Sequence, residues 1–188
     1  MNKILYEILE DNPIVASIKN DADLRLVLTS NCKVVFILYG NILNIGDITS
    51  KLKENGKIVF IDVDLIDGFS NKEIVIGFMK KYIKTDGILS SKASMLKAAK
   101  GYGFFTVHRL FIIDSFSFHN IEKQVKISQA DCIEILPGSM PKVISWVIEM
   151  VDIPVIAGGL VCDKEDVVAA LKAGAIAISS TNTKVWSM

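Results

Sequence analysis

The stretch that decides the fold is Ile153-Pro-Val-Ile-Ala-Gly-Gly-Leu160, followed after a helical segment by Ala175-Ile-Ala-Ile-Ser-Ser-Thr-Asn182. Its two apolar runs are short, uninterrupted and partly β-branched, which is typical of parallel strands buried on both faces. Between them, residues 163–173 carry apolar side chains at helical spacing, with acidic residues in the first turn and Gly174 at the stop. The stretch therefore predicts a strand, a helix and a second strand parallel to the first.

The same alternation of strand and helix runs through the whole chain. Eight segments have strand character: Ile14–Ile18, Lys33–Tyr39, Lys57–Val63, Asp86–Leu89, Phe104–Leu110, Asp131–Leu136, Ile153–Ala157 and Ala175–Ile178. Eight units in 188 residues leave about 23 residues for each, near the minimum for a strand, a helix and two turns. We therefore predict an α/β fold, a minimal (β/α)8 TIM-barrel-like domain over residues 1–188, with a truncated last helix in residues 181–188. An open doubly wound sheet is the alternative architecture.

Composition narrows the class of protein. Apolar residues make up 51% of the chain, yet no apolar run approaches the ~18 residues of a membrane helix. Acidic residues near the N-terminus stand where a signal peptide would be apolar, so we expect a cytoplasmic protein without membrane attachment. The 21 basic and 21 acidic residues balance, which gives no support for nonspecific binding to nucleic acid.

The cysteines and histidines do not form a recognisable site. Cys32, Cys132 and Cys162 are scattered, and we expect reduced core residues rather than disulfides, metal ligands or nucleophiles. His108 precedes Arg109 on a strand and should point the opposite way, as a packed or helix-facing residue, and His119 should lie on a helix surface.

Two turns have the composition of a phosphate site. Gly158 and Gly159 follow the seventh strand, and Ser179, Ser180 and Thr181 follow the eighth. Barrels often bind phosphate after these two strands, because backbone amides converge there. A double glycine is also explained by a tight turn that needs positive φ and nothing more. The coincidence of both turns favours phosphate.

Other polar residues at strand ends are candidate ligand contacts. The predicted set is Lys19, Asp64, Lys92, Arg109 and Glu134. The carboxylates Asp62 and Asp64, two apart on a strand, could be general bases, a metal pair or acceptors for ligand hydroxyls. Either could equally form a structural ion pair with Lys92 or Arg109, and Glu134 could pair with a neighbouring cation. Metal is the weakest option, and we predict no metal site, because no histidine or third carboxylate stands at a matched spacing.

Lysines gather near the ends of three predicted helices. They are Lys51, Lys53, Lys80, Lys81, Lys84, Lys97 and Lys100. A helix C-terminus attracts cations through its dipole, which explains such lysines without any ligand. A local basic patch for an RNA backbone is the functional alternative.

Several longer strings carry a resemblance to a known family. They include Val34-Val-Phe-Ile-Leu-Tyr-Gly-Asn41, Asp64-Leu-Ile-Asp-Gly-Phe-Ser70, Asp86-Gly-Ile-Leu-Ser-Ser-Lys92, Asp131-Cys-Ile-Glu-Ile-Leu-Pro-Gly138 and Ile153-Pro-Val-Ile-Ala-Gly-Gly-Leu160. With Val185-Trp186 near the end, the chain resembles the glycerol uptake operon antiterminators, glycerol-3-phosphate-responsive regulatory proteins, over nearly its whole length. Asp62 stands where the resemblance predicts histidine, which makes Asp64 the expected ligand residue of that pair.

The resemblance implies a function that composition and spacing do not reach. It implies a barrel that binds glycerol 3-phosphate as effector, needs no cofactor, and acts on the leader mRNA of glycerol-utilisation genes to prevent termination of transcription. The neutral net charge then requires a localised basic patch, a homo-oligomer or a ligand-induced change. The alternative is a small barrel enzyme of isomerase, lyase or aldolase type acting on a phosphorylated substrate. It would use Asp64 or Glu134 as base and Lys92 or Arg109 as electrophile.

Overall fold

The computed structural model describes residues 2–188, in which eight parallel strands form one closed barrel. In chain order the strands are β1 (Ile14–Ile18), β2 (Val34–Ile37), β3 (Ile58–Asp62), β4 (Gly87–Ser90), β5 (Phe105–Phe111), β6 (Cys132–Leu136), β7 (Val155–Gly158) and β8 (Ala177–Ser180). Each strand pairs with the next, and β8 pairs with β1. The predicted (β/α)8 barrel is confirmed, and the open sheet is excluded.

Nine α-helices surround the barrel in the described part of the chain. They are α1 (Lys3–Asp11), α2 (Asp21–Thr29), α3 (Ile45–Glu54), α4 (Ile74–Tyr82), α5 (Ala93–Gly101), α6 (Ser115–His119), α7 (Ile121–Ser128), α8 (Pro141–Met150) and α9 (Lys164–Lys172). Only a short 3-10 turn, Val185–Ser187, follows β8, so the truncated last helix is confirmed. None of the helices within residues 2–188 is long and apolar enough to span a membrane.

One predicted helix is divided in two. The sequence predicts a single helix up to Ser128, but the structure has α6 and α7 on either side of Asn120. The amide of Asn120 donates to the Phe116 carbonyl and ends α6, while its own carbonyl accepts from Gln124 and begins α7. Asparagine favours such helix boundaries, because its short side chain competes for backbone hydrogen bonds.

The barrel interior is filled with apolar side chains and closed at one end by α1. Phe36 and Phe60 are fully buried and their rings meet edge to face, with centroids 5.5 Å apart. Leu5 and Leu9 of α1 belong to the same buried cluster as these interior residues. The first helix therefore covers the end of the barrel where the strands begin, and the polar residues collect at the opposite end, the mouth.

Two matching ion pairs fasten helices to the end of the barrel where the strands begin. Lys53 Nζ lies 2.6 Å from an Asp86 carboxylate oxygen that also accepts the amide of Val59. Lys100 Nζ lies 3.1 Å from Asp131, whose other oxygen accepts the Thr106 amide. In both cases a carboxylate just before one strand binds the preceding strand and a lysine from the helix that leads into that preceding strand.

Gly87 provides a test of the interior packing. A Cβ atom at this position would lie 2.2 Å from Phe60 Cε1 and 3.0 Å from the Phe105 carbonyl oxygen. We expect Gly87→Ala to lower the free energy of unfolding by about 1–3 kcal/mol, because a full interior cannot accept another methyl group. Urea denaturation measures this difference.

Gly46→Ala is the matched control. A Cβ at Gly46, within α3, would meet nothing within 4 Å. Alanine there should leave stability equal or raise it by up to about 1 kcal/mol through helix propensity. Equal effects of the two substitutions would contradict the packing described for Gly87.

Candidate functional site

Arg109 occupies the centre of the barrel mouth, between two buried carboxylates. Its Nη1 donates to Asp62 Oδ2 and its Nε donates to Glu134 Oε2 at 2.7 Å. The other oxygen of Glu134 accepts the hydroxyl of Ser179. The register that places Arg109 opposite Glu134 makes this arrangement possible. These contacts connect β3, β5, β6 and β8 across the mouth.

The central cluster contains one guanidinium and two carboxylates. Asp62 and Glu134 are 2% and 1% exposed, and Arg109 is 8% exposed. Burial raises the pKa of Asp62 to about 7, with the neighbouring carboxylates Asp64 and Glu134 acting in the same direction and Arg109 opposing them. Burial by itself would lower the pKa of Arg109, but Glu134 and Asp62 outweigh it and raise that pKa. Arg109 is therefore charged, and Asp62 can titrate near neutral pH.

The sequence left open whether Asp62 and Glu134 form structural ion pairs, and the structure shows that both do. Asp62 pairs with Arg109, and Glu134 pairs with the same cation. Truncating Arg109 would leave two buried carboxylates without a cation, a change that costs about 3–5 kcal/mol in comparable cases. Arg109 is therefore part of the folded core of the mouth, as well as part of its surface.

The double glycine has two different structural roles. A Cβ on Gly158 would lie 2.5 Å from Ser179 Oγ and 2.6 Å from Glu134 Oε1, so only glycine leaves room for the central cluster. Gly159 has φ of +73°, and Leu160 after it has φ of +57°. A leucine in this left-handed region is costly and is typical of turns constrained by function.

The turns after β7 and β8 are joined to each other by polar contacts. Ser180 Oγ donates to the Val161 carbonyl at 2.9 Å, and Asn182 Nδ2 donates to the Cys162 carbonyl at 2.8 Å. Within residues 2–188, no protein group accepts the amide hydrogens of four residues in these turns: Gly159, Leu160, Val161 and Thr181. Free amides in adjacent turns of a barrel can bind an anion.

A cavity of about 270 Å³ lies between these turns and the central cluster. Six of the predicted site residues line it: Arg109, Glu134, Gly159, Ser179, Ser180 and Thr181. Residues that the sequence did not predict also line it: Ser17, Leu38, Leu136, Leu160, Val161, Cys162 and Asn182. Among these residues, Ser17 could have been predicted from the sequence, because it is a hydroxyl residue inside the otherwise apolar first strand.

The remaining predicted ligand contacts lie outside this cavity. Asp64 accepts from Ser90 Oγ at 2.9 Å, from both the amide and hydroxyl of Ser91 at 2.7 Å, and from Lys92 Nζ at 3.1 Å. These hydrogen bonds outweigh the effect of burial and lower the pKa of Asp64. Asp64 and Lys92 thus satisfy each other and fix the turn between β4 and α5. Lys19 lies exposed in the turn after β1, where its amide donates to Asp23.

The lysines predicted as an RNA patch lie on the helices that surround β3 to β5. Lys51 and Lys53 are in the last turn of α3, Lys80 and Lys81 in the last turn of α4, Lys84 follows α4, and Lys97 and Lys100 are in α5. Two of them, Lys53 and Lys100, form the ion pairs with Asp86 and Asp131. Lys80 lies 4.9 Å from the centroid of the Phe104 ring.

The histidine and cysteine predictions have mixed outcomes. His108 is fully buried, Nε2 lies 3.3 Å from the Ser91 carbonyl, and burial lowers its pKa, which agrees with a packed residue. His119 is exposed, as predicted. Cys32 and Cys132 are buried, but the prediction is wrong for Cys162, which is exposed. The reason is that Cys162 lies in the turn after β7 and not on a strand. Its carbonyl accepts a hydrogen bond from the side chain of Asn182 in the neighbouring turn.

A larger groove of about 510 Å³ lies at the opposite end of the barrel, beside α1. Its polar side chains include the acidic residues Glu10 and Asp152, together with Tyr6, and the rest of its lining is mainly apolar. An acidic groove repels an anion. The smaller cavity at the mouth, whose lining includes turn residues with free amides and the guanidinium of Arg109, is the better candidate for a phosphate ligand.

Asp62 gives a pH-dependent stability that can be measured. Its folded pKa of about 7 is above the ordinary value of 3.8, so the native state binds more protons than the unfolded state between these values. Stability from this group is full below pH 4 and is lost as pH rises through 7. Between pH 5 and pH 8, wild type should lose roughly 2 kcal/mol more than Asp62→Asn. Chemical denaturation across this range measures the loss, with the exposed Asp152→Asn as control. Parallel curves for wild type and Asp62→Asn would contradict the assignment.

Comparison with known proteins gives the family. A family model described as glycerol-3-phosphate responsive antiterminator matches residues 14–186. A protein of Escherichia coli K12, named Uncharacterized protein YgcP, is 56% identical over 184 residues, which cover 98% of this chain and 96% of that protein.

Two crystal structures are similar over most of the chain. A glycerol uptake operon antiterminator regulatory protein from Listeria monocytogenes has a TM-score of 0.89 and 30% identity, covering 92% of this chain and 94% of its own. A glycerol uptake operon antiterminator-related protein from Thermotoga maritima has a TM-score of 0.83 and 32% identity, covering 94% and 99%. These matches confirm the resemblance seen in the sequence: the chain belongs to the glycerol-3-phosphate responsive antiterminator family.

Proposed function

We propose that the protein is a metabolite sensor that binds glycerol 3-phosphate in the mouth cavity. In the bound state it acts on the leader mRNA of glycerol-utilisation genes and prevents termination of transcription. Membership of the antiterminator family supports the regulatory role. The observation that carries the ligand assignment is the pair of turns after β7 and β8: their residues line a cavity together with Arg109, Glu134 and Ser179, and four of them have free amides.

The phosphate group fits the side of the cavity formed by the two turns. The amides of Gly159, Leu160 and Thr181 are neutral donors, and such donors bind phosphate without requiring a lysine. Arg109 lies beside this part of the cavity, but Asp62 and Glu134 offset its positive charge. The amides are therefore the main phosphate ligands in this proposal.

The glycerol part fits the side of the cavity formed by the central cluster. Glu134 accepts hydrogen bonds from Arg109 and Ser179 and still faces the cavity, so its oxygens can accept a ligand hydroxyl. Apolar side chains of the cavity lining, among them Leu38 and Leu136, would cover the carbon atoms of the glycerol. A cavity of about 270 Å³ matches a ligand of this size better than a nucleotide.

The contacts of the candidate catalytic groups favour binding over catalysis. The proposed bases Asp64 and Glu134 accept hydrogen bonds from the proposed electrophiles Lys92 and Arg109. A carboxylate already bound to a cation is a weak base, and a cation already bound to a carboxylate is a weak electrophile. Turnover of glycerol 3-phosphate or a triose phosphate by the purified protein would support the enzyme instead.

The RNA surface in this proposal is the lysine-bearing side of the barrel. Lys51, Lys84 and Lys97 are exposed on or beside α3, α4 and α5. Since the chain has no net charge, binding to an RNA backbone depends on local clusters of this kind. Ligand binding would favour the RNA-competent state by its higher affinity for that state.

Thr181 provides the test of the ligand site. Its side chain is exposed and lines the cavity, so Thr181→Asp puts a negative charge beside the proposed phosphate and leaves folding unaffected. We expect glycerol 3-phosphate to bind wild type clearly better than glycerol, and Thr181→Asp to lose at least about tenfold in affinity, or ~1.4 kcal/mol. Isothermal titration calorimetry measures both. Thr183→Asp, exposed but outside this cavity, is the control, and equal affinity of wild type for glycerol and its phosphate would refute the site.

The lysine surface has a separate test. A leader-RNA shift assay with saturating glycerol 3-phosphate, run at several salt concentrations, should show steep salt dependence for wild type. Replacing Lys51, Lys84 and Lys97 together by alanine should reduce the logarithmic salt slope by about 2. The control replaces three lysines that are also exposed but lie elsewhere: Lys123, Lys164 and Lys184. An unchanged slope for the first variant would place the RNA on another surface.

A further inference from the structure

The central cluster of the mouth is unbalanced in charge. Arg109 contributes one positive charge, and ionised Asp62 and Glu134 contribute two negative charges. The nearby carboxylate of Asp64 is balanced separately by Lys92. With both carboxylates ionised, the floor of the cavity therefore carries a net charge of −1, which opposes an anionic ligand.

The surroundings of Asp62 single it out as the group that can relieve this imbalance. From β5 it faces Arg109, from β6 it faces Glu134, and from the segment after β3 it accepts the Asp64 amide at 3.0 Å. Asp64 itself forms an ion pair with Lys92. Asp62 is 2% exposed and does not contact the cavity directly, in contrast to Glu134.

We propose that Asp62 takes up a proton when the cavity binds a dianionic phosphate ester, and that Asp62 thereby sets the ligand charge that the pocket accepts. This inference rests on the proposed function and names a residue outside the cavity as a determinant of its specificity. Protonation makes the cluster neutral. Protonation also weakens the ion pair between Arg109 and Asp62. The guanidinium, which lines the cavity, then attracts the phosphate more strongly.

Glu134 is already engaged in other contacts. It accepts hydrogen bonds from Arg109 Nε and from the Ser179 hydroxyl, and its position in the cavity is needed for ligand hydroxyls. The burial that raises the pKa of Asp62 to about 7 places its titration in the range where the ligand is already a dianion. The proton that enters on binding therefore comes from solvent to Asp62, and no other group needs to change its charge.

Proton uptake is measured by calorimetric titration of glycerol 3-phosphate at pH 8 in buffers that differ in ionisation enthalpy. At this pH the free ligand is dianionic, since the second phosphate pKa is about 6. Wild type should take up more than about half a proton per ligand bound. Asp62→Asn should take up close to none and should bind about threefold to tenfold more tightly at pH 8, because its cluster is already neutral.

The outcomes separate this inference from the function on which it rests. Binding by wild type without proton uptake, or uptake that persists in Asp62→Asn, overturns the role of Asp62 and leaves the ligand assignment intact. No binding by wild type overturns the ligand assignment, and the role of Asp62 falls with it. Asp152→Asn, remote from the mouth, should match wild type in both affinity and proton uptake, and a thermal melt of Asp62→Asn checks that the variant is folded.

Discussion

The structure of the barrel mouth depends on the ion pairs that two buried carboxylates, Asp62 and Glu134, form with the guanidinium of Arg109. A barrel interior must be filled, and below this level it is filled with apolar side chains, including Phe36 and Phe60. At the mouth the filling is ionic, and ionic filling is stable only when every charge has a partner. This requirement explains why Gly158 has no side chain: the space is taken by Glu134 and Ser179.

Charged and neutral groups have separate tasks in the resulting site. The charged groups mostly bind one another, and they hold four strands in a fixed relation. The neutral amides in the turns after β7 and β8 remain available for a ligand. A site built in this way is preorganised for binding, since little has to move and few polar groups lose a partner when the ligand enters. Such a division suits a sensor, which must bind and release its ligand unchanged.

The fold could be predicted because its signals are local. Apolar strand runs, turn glycines and helical spacing each occupy a few consecutive residues, and eight repeats of them leave few architectures. The part of the site near β7 and β8 followed from the same rule, because strand ends and turns are visible in sequence. The ion pairs did not follow, since the partners of Arg109 are 47 and 25 positions away and depend on the register of the closed barrel. The positions of Asp64 and Lys92 outside the cavity depend on contacts with Ser90 and Ser91 that the spacing does not reveal.

The helix α1 has a consequence for how the protein communicates. Leu5 and Leu9 cover the end of the barrel where the strands begin, and the cavity lined by Arg109 and Glu134 lies at the opposite end. The proposed ligand would enter and leave by the mouth. Any macromolecule seated over that aperture would trap the metabolite and prolong its stay, whereas one bound on the lysine-bearing side would leave exchange with the cell's pool free. For the proposed sensor, the location of the partner would decide whether the response follows the momentary concentration of the ligand or persists after that concentration has changed.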